Sequence, residues 1–137
     1  MSAPTSRFGS ADEVPLDAGV DLQAALRRLG GDAELVCELA QIVVEDAPGL
    51  LAQALSARAA GALDARNSGD FDAAARAAHA LKGLLANFSE PAAGAAQLAE
   101  TVLRQRDAAS RLPALANLQA YTERLLDELQ RTVLTRD

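Results

Sequence analysis

Apolar residues recur at intervals of three and four along most of this chain, the spacing expected of one buried face of an α-helix. Four long segments and one short segment show this pattern. The alternation of apolar and polar residues typical of half-buried strands is missing, and the one β-branched cluster, at positions 42–44, lies inside a helical pattern. The sequence therefore predicts an all-α protein, an antiparallel four-helix bundle with a short additional N-terminal helix.

Capping residues predict where the first two helices begin and end. A short helix is expected from about Val20 to Leu29, stopped by Gly30-Gly31, and Asp32 is expected to cap a long second helix. Pro48-Gly49 should kink or divide that helix, because proline lacks the N–H that the helical ladder needs. Its buried stripe is predicted to consist of Leu35, Leu39, Ile42, Val43, Leu50, Ala54 and Leu55.

Turn signals divide the second half of the chain into three more helices. A turn at residues 67–70 precedes a third helix, from about Asp70 to Phe88, and Ser89 is expected to cap a fourth that reaches about Ala109. The last helix is expected from about Pro113. The side chains predicted to face the core from these last two helices are Ala95, Leu98, Ala99 and Val102, then Leu115, Leu118, Leu125, Leu129 and Val133.

Composition limits the classes of protein that fit. The 137 residues suffice for one domain, expected over residues 17–137 behind a flexible N-terminal arm at residues 1–16. A net charge of -6 disfavours nucleic acid and anionic membranes as partners, since both need a basic face. Cys37 is the only cysteine, which excludes an intramolecular disulfide, and its apolar neighbours predict a buried thiol. With no targeting signal and no spanning segment, a soluble cytoplasmic protein is expected. Its acidic surface and the bundle formed by one chain make a monomer the default expectation.

The only histidine, His79, lies in the middle of the third predicted helix. Because helical residues turn by about 100° each, side chains within about 60° of His79 share its face, and the core-facing leucines lie opposite. That face consists of Asp72, Ala75, Arg76, Lys82, Gly83, Ala86 and Glu90. His79 is therefore expected to stand exposed among small residues, with a cation on either side along the helix.

This combination of side chains suits phosphoryl chemistry. A neutral imidazole is a competent nucleophile near neutral pH, and a phosphoryl group attached to it carries about two negative charges, which Lys82 and Arg76 could reach. Gly83 destabilises a helix interior by about 0.5–1 kcal/mol relative to alanine, which suggests that access beside the histidine matters. From spacing alone, an ordinary exposed histidine on an amphipathic helix is an equally open interpretation.

The segment His79-Ala80-Leu81-Lys82-Gly83 is similar to the H-x-L-K-G signature of histidine phosphotransfer (HPt) domains, the intermediate carriers of bacterial phosphorelays. The resemblance covers about Val20 to Val133. It includes Leu29-Gly30-Gly31-Asp32, Glu45-Asp46-Ala47-Pro48, Gly69-Asp70 and Leu98-Ala99-Glu100. The chain departs from the family in having Leu84-Leu85 after the glycine and Ser89 where the family often has glycine.

The resemblance implies that His79 accepts and donates the phosphoryl group, that Lys82 pairs with its oxygens, and that Gly83 gives the partner access. The residues expected to line the docking surface are Ala75, Arg76, Leu84 and Ala86. The implied partners are response-regulator receiver domains or a hybrid sensor kinase. Since the receiver is expected to bring Mg²⁺ and the catalytic groups, this chain is expected to need no cofactor or metal and to be a stand-alone carrier rather than an enzyme.

Other classes of protein fit the sequence less well. Nothing in it resembles the glycine-rich nucleotide loop of a kinase, and a kinase dimerisation domain typically has glutamate where Ala80 stands. A di-metal bundle needs Glu-x-x-His pairs on several helices, which one histidine cannot supply. The remaining alternative is a helical adaptor that binds a signalling partner without phosphoryl transfer.

Overall fold

The computed structural model describes residues 20–58 and 68–134. Within these ranges lie five α-helices and no strand: α1 (Leu22–Arg28), α2 (Ala33–Leu55), α3 (Ser68–Leu85), α4 (Glu90–Gln105) and α5 (Ala108–Leu129). A short 3-10 helix, Ser56–Arg58, follows α2, and a π-helical turn, Gln130–Leu134, extends α5. Each long helix packs against its neighbours in the order α2, α3, α4, α5, and α5 closes the bundle on α2. The predicted all-α bundle with a short N-terminal helix is confirmed.

Two predicted features involve residues outside the described ranges. The proposed arm at residues 1–16 lies entirely outside them. Of the predicted turn at residues 67–70, the described part already belongs to α3, which begins at Ser68. The fifth helix also begins earlier than expected, because Asp107 caps it by accepting from the backbone N–H groups of Ala109 and Ser110.

The caps predicted for α2 and α4 are present. Asp32 Oδ1 accepts a hydrogen bond from the N–H of Leu35 at 3.1 Å, and Ser89 Oγ accepts from the N–H of Ala92 at 3.0 Å. Each bond satisfies one of the backbone donors that a helix leaves unpaired in its first turn. The Ser89 cap matters for the site because it fixes where α4 turns back along α3.

Replacing Ser89 with alanine is expected to lower the free energy of unfolding by about 1 kcal/mol, measured by urea denaturation. The hydroxyl is buried, so water does not replace it as an acceptor for the Ala92 N–H. Ser56→Ala is the control, since the exposed Ser56 hydroxyl only donates to the carbonyl of Gln53. Equal losses from the two substitutions would contradict a stabilising role for the cap.

Alanine and leucine dominate the core, and α2 uses a different stripe from the predicted one. Its buried residues are Val36, Ala40, Val43, Ala47, Leu51, Ala54 and Leu55. The prediction that Leu35 and Ile42 are buried is wrong, since they are 40% and 45% exposed. Leu98 on α4 is likewise 50% exposed rather than buried. Small alanine side chains let helices pack closely, so the alanine-containing stripe faces inward although neighbouring positions are more hydrophobic.

The other predicted core positions on α4, α5 and the turn after it are confirmed. All of the following are buried: Ala95, Ala99, Val102, Leu115, Leu118, Leu125, Leu129 and Val133. Helix α5 packs on both α4 and α2, and the turn after it packs on α2, so these residues complete the core between the helices.

Two further predictions about α2 concern Pro48 and Cys37. Of the predicted kink or division at Pro48, the division does not occur, because the buried neighbours Ala47 and Leu51 anchor the helix on both sides of the missing N–H. The Cys37 thiol is exposed rather than buried, since Val36 takes the inward position beside it. Among the described residues, no helix has the length and apolar character needed to cross a membrane.

Hydrogen bonds join the N-terminal helix α1 to the turn that follows α3. Arg28 Nη2 donates to the carbonyl of Asn87 at 2.6 Å, and the N–H of Asp21 donates to the carbonyl of Phe88 at 2.9 Å. The Asn87 side chain in turn donates to the Gly83 carbonyl at 3.2 Å. Three hydrogen bonds thus hold the turn between α3 and α4, and α1 lies beside the exposed Ala86, the first residue after α3.

Candidate functional site

His79 lies on the solvent-facing side of α3. Its side chain is 62% exposed, whereas Ala78 and Leu81 on the same helix are completely buried. The amphipathic pattern of α3 therefore orients the histidine outward, as predicted. Because α3 packs on both α2 and α4, the ring projects from a rigid helix rather than from a loop.

A carboxylate on α4 contacts the inner nitrogen of the ring. His79 Nδ1 and Glu100 Oε1 are 3.1 Å apart, and the Glu100 side chain is only 12% exposed. The second carboxylate oxygen, Oε2, accepts a hydrogen bond from Arg104 Nε at 3.0 Å. Burial acts to raise the pKa of the Glu100 carboxyl, but the hydrogen bonds and charges of Arg104 and His79 outweigh burial and lower this pKa below its ordinary value.

The ionisation of Glu100 determines which ring nitrogen of His79 carries a proton. An ionised carboxylate can only accept hydrogen bonds, so the nitrogen that faces Glu100, Nδ1, must be the N–H donor. In the neutral ring the lone pair then lies on Nε2. In that form the ring offers the Nε2 lone pair on the side away from the Glu100 carboxylate, on a side chain that is 62% exposed.

The lysine that follows His79 also reaches across to α4. Lys82 Nζ donates to Gln97 Oε1 at 2.6 Å, and Gln97 Nε2 donates to Thr101 Oγ1 at 3.3 Å. Lys82 is half-buried, and its bond to Gln97 holds the ammonium group beside α4.

The structure places most of the predicted surface residues beside His79. Gly83 is exposed, and a Cβ atom added there would meet no atom of the residues that the structure describes within 4 Å, apart from its own stretch of helix. Arg76 and Ala86 are exposed and Leu84 is half-buried. The prediction that Ala75 lies on this surface is wrong. It is completely buried and belongs to the hydrophobic core between the helices.

Glu100 was missed as a site residue by reasoning on the helical face of His79 alone, since it lies on a different helix. A signal for it existed in the sequence: in an antiparallel pair of helices joined by a short turn, His79 must face the middle of α4. Glu100 is the only carboxylate between Pro91 and Gln105. Within residues 20–58 and 68–134, no group of three or more His, Cys, Asp or Glu side chains is placed to hold a metal ion.

Together the fold and the site define a helical bundle that presents one imidazole on an open surface, backed by a carboxylate and flanked by a held ammonium group. Comparison with known families agrees with this class: the Hpt domain family matches residues 38–132, more than half of the chain. The protein therefore belongs to the Hpt domain family, and the resemblance seen in the sequence is confirmed. Searches of curated proteins and of solved structures found no match.

Membership in this family sets the general function. Hpt domains take part in histidine phosphotransfer within phosphorelays and exchange phosphoryl groups with receiver domains. They act as intermediates and carry no kinase catalytic domain of their own.

Proposed function

We propose that this protein relays a phosphoryl group between aspartates of receiver domains through a phosphohistidine at His79. The observation that carries the proposal is the contact between His79 Nδ1 and the buried Glu100 carboxylate, 3.1 Å long, which in the neutral ring places the lone pair on Nε2. An imidazole nitrogen with a free lone pair attacks phosphorus directly, so no separate base on this chain is needed.

In the proposed step, the Nε2 lone pair forms the N–P bond while the bond between phosphorus and the receiver's aspartate oxygen breaks. The aspartate leaves as a carboxylate with the bonding electrons. The Nδ1 proton stays on the ring, which therefore becomes positively charged, and the Glu100 carboxylate behind it stabilises that charge. In the reverse step a receiver carboxylate attacks the same phosphorus, and the lone pair returns to Nε2.

The remaining site residues contact the phosphoryl group and the receiver domain that delivers it. Lys82 pairs with the phosphoryl oxygens as a compact cation, and Gly83 leaves room for the receiver. Arg76, Leu84 and Ala86 contribute the surrounding contact surface. The receiver or hybrid kinase supplies Mg²⁺ and the groups that stabilise the transferring phosphoryl, and the carrier acts as a cytoplasmic monomer.

The test is to mix the purified protein with a receiver domain that carries labelled phosphate and to follow the label. Transfer to this chain, with a label that is acid-labile and stable to alkali, is the expected result. A protein that binds the receiver but never acquires label would instead be an adaptor, and the proposed relay would be wrong.

Replacing Gly83 with alanine is expected to stabilise the protein while slowing transfer. Among the described residues, the added methyl group meets nothing within 4 Å beyond its own stretch of helix, so the helix gains about 0.5–1 kcal/mol, whereas the receiver loses clearance beside His79. Urea denaturation and the rate of label transfer measure the two effects separately. Gly49→Ala on α2 is the matched control, since it too adds a methyl group in open space. If the two variants transferred equally fast, the access role of Gly83 would be refuted.

A further inference from the structure

We propose that Gln97 is a positioning residue, which holds the ammonium group of Lys82 beside His79 before the receiver arrives. The inference rests on the proposed phosphotransfer at His79 and adds a residue on α4 to it. Gln97 makes and breaks no bond to phosphorus in this proposal; it acts on the reaction only through Lys82.

Two contacts between α3 and α4 run side by side. His79 meets Glu100 and Lys82 meets Gln97, and within each helix the two residues are three positions apart. Side chains with this spacing are neighbours on one face of a helix. The antiparallel packing thus places the ammonium group one turn along α3 from the imidazole, and both groups contact α4. The Lys82–Gln97 bond, at 2.6 Å, is the shorter of the two contacts.

The amide of Gln97 is itself oriented. Its Nε2 donates to Thr101 Oγ1 at 3.3 Å, so its oxygen is the end that faces Lys82. The opposite orientation would turn an N–H₂ donor group toward an ammonium group that can only donate. Thr101, one turn further along α4, therefore helps to keep the acceptor aimed at the lysine.

Because Lys82 is held in this way, its ammonium group is already in place to bind an anion. Of its three N–H donors, Gln97 takes one, and two are left for phosphoryl oxygens. A free lysine side chain would have to lose its rotamer freedom when the phosphoryl group binds, whereas Lys82 is already restrained in the unphosphorylated protein. Gln97 is also neutral, so it restrains the ammonium group without cancelling its charge.

A double-mutant cycle on the transfer rate tests the proposal. Gln97→Met keeps a long unbranched side chain but removes the amide acceptor, and it is expected to slow transfer from a phosphorylated receiver roughly threefold to tenfold. In a Lys82→Met background, the same substitution is expected to have no further effect, because the side chain through which Gln97 acts is gone. Thr101→Val is expected to reproduce part of the slowing, and only when Lys82 is present.

The control is Gln41→Met, which removes an exposed glutamine that donates to Glu45 at 2.8 Å within α2. Its transfer rate is expected to equal that of wild type. Wild-type speed in Gln97→Met, or equal slowing with and without Lys82, would overturn the positioning role. A purely structural effect of Gln97 would give that second outcome. Failure of the relay itself is distinguishable, because wild type would then acquire no label at His79.

Discussion

A His79→Gln variant is expected to acquire no label from a phosphorylated receiver and to remain folded. The glutamine amide has no nucleophilic lone pair, so no N–P bond can form. Its N–H₂ group can still donate to Glu100, and the side chain it replaces is 62% exposed, so no core contact is lost. The free energy of unfolding should change by no more than about 0.5 kcal/mol, as is usual for surface substitutions.

The result of this experiment can be assigned to one residue because His79 is the only histidine of the chain. An acid-labile, alkali-stable label cannot then come from another histidine. Binding of the receiver, followed by titration calorimetry, should persist in the variant, because Arg76, Leu84 and Ala86 are unchanged. Labelling of His79→Gln to the wild-type level would show that the acceptor lies elsewhere and that the proposed site is wrong.

The sequence predicted the fold better than it predicted which side chains are buried. Helix caps are local features, and Asp32 and Ser89 lie where their capping chemistry indicated. The buried side of α2 was placed wrongly because Leu35 and Ile42 are more hydrophobic than Ala40 and Ala47. Which stripe packs inward depends on how closely α3 and α5 approach, and that distance is a property of the whole bundle.

The candidate site likewise has one part that the sequence could indicate and one part that depends on the folded bundle. His79, Lys82 and Gly83 share one helix face, so helical geometry alone relates them. Glu100 and Gln97 belong to the site only through the register of α4 against α3, which the turn at Ser89 sets. The geometry of α3 alone therefore indicates His79, whereas Glu100 and Gln97 come beside it only in the folded bundle.

Replacing Glu100 with alanine is expected to slow transfer about tenfold to a hundredfold. A hydrogen bond to a charged group is worth about 1.5–3 kcal/mol, and without it the ring is free to place its proton on Nε2, the nitrogen that must attack. ¹⁵N NMR of the His79 ring should show the Nδ1–H form in wild type and a mixture of tautomers in the variant. Glu100→Gln is expected to be intermediate in rate, since its amide oxygen still accepts from Nδ1–H but carries no charge.

Asp127→Ala on α5 is the matched control for Glu100→Ala. Asp127 accepts from Arg131 Nε at 3.0 Å, four residues on, the same distance and spacing as the Glu100–Arg104 pair. The difference is that Asp127 has no histidine beside it and is 59% exposed. Loss of an arginine pair by itself should therefore leave the transfer rate unchanged. Equal slowing by both alanine variants would contradict the role of Glu100 in orienting the ring.

The lowered pKa of Glu100 predicts how the stability of the folded protein depends on pH. The pKa of Glu100 is lower in the folded protein than its ordinary value of 4.5, so the unfolded chain binds the proton more tightly. The stabilisation from this carboxylate is therefore fully present above about pH 4.5 and is lost as the pH falls toward the folded-state pKa. Urea denaturation should show the stability advantage of wild type over Glu100→Gln shrinking across that range. An advantage that stayed constant from about pH 7 to about pH 3 would mean that Glu100 is not held as a carboxylate, and the argument that its charge fixes the His79 tautomer would fail with it.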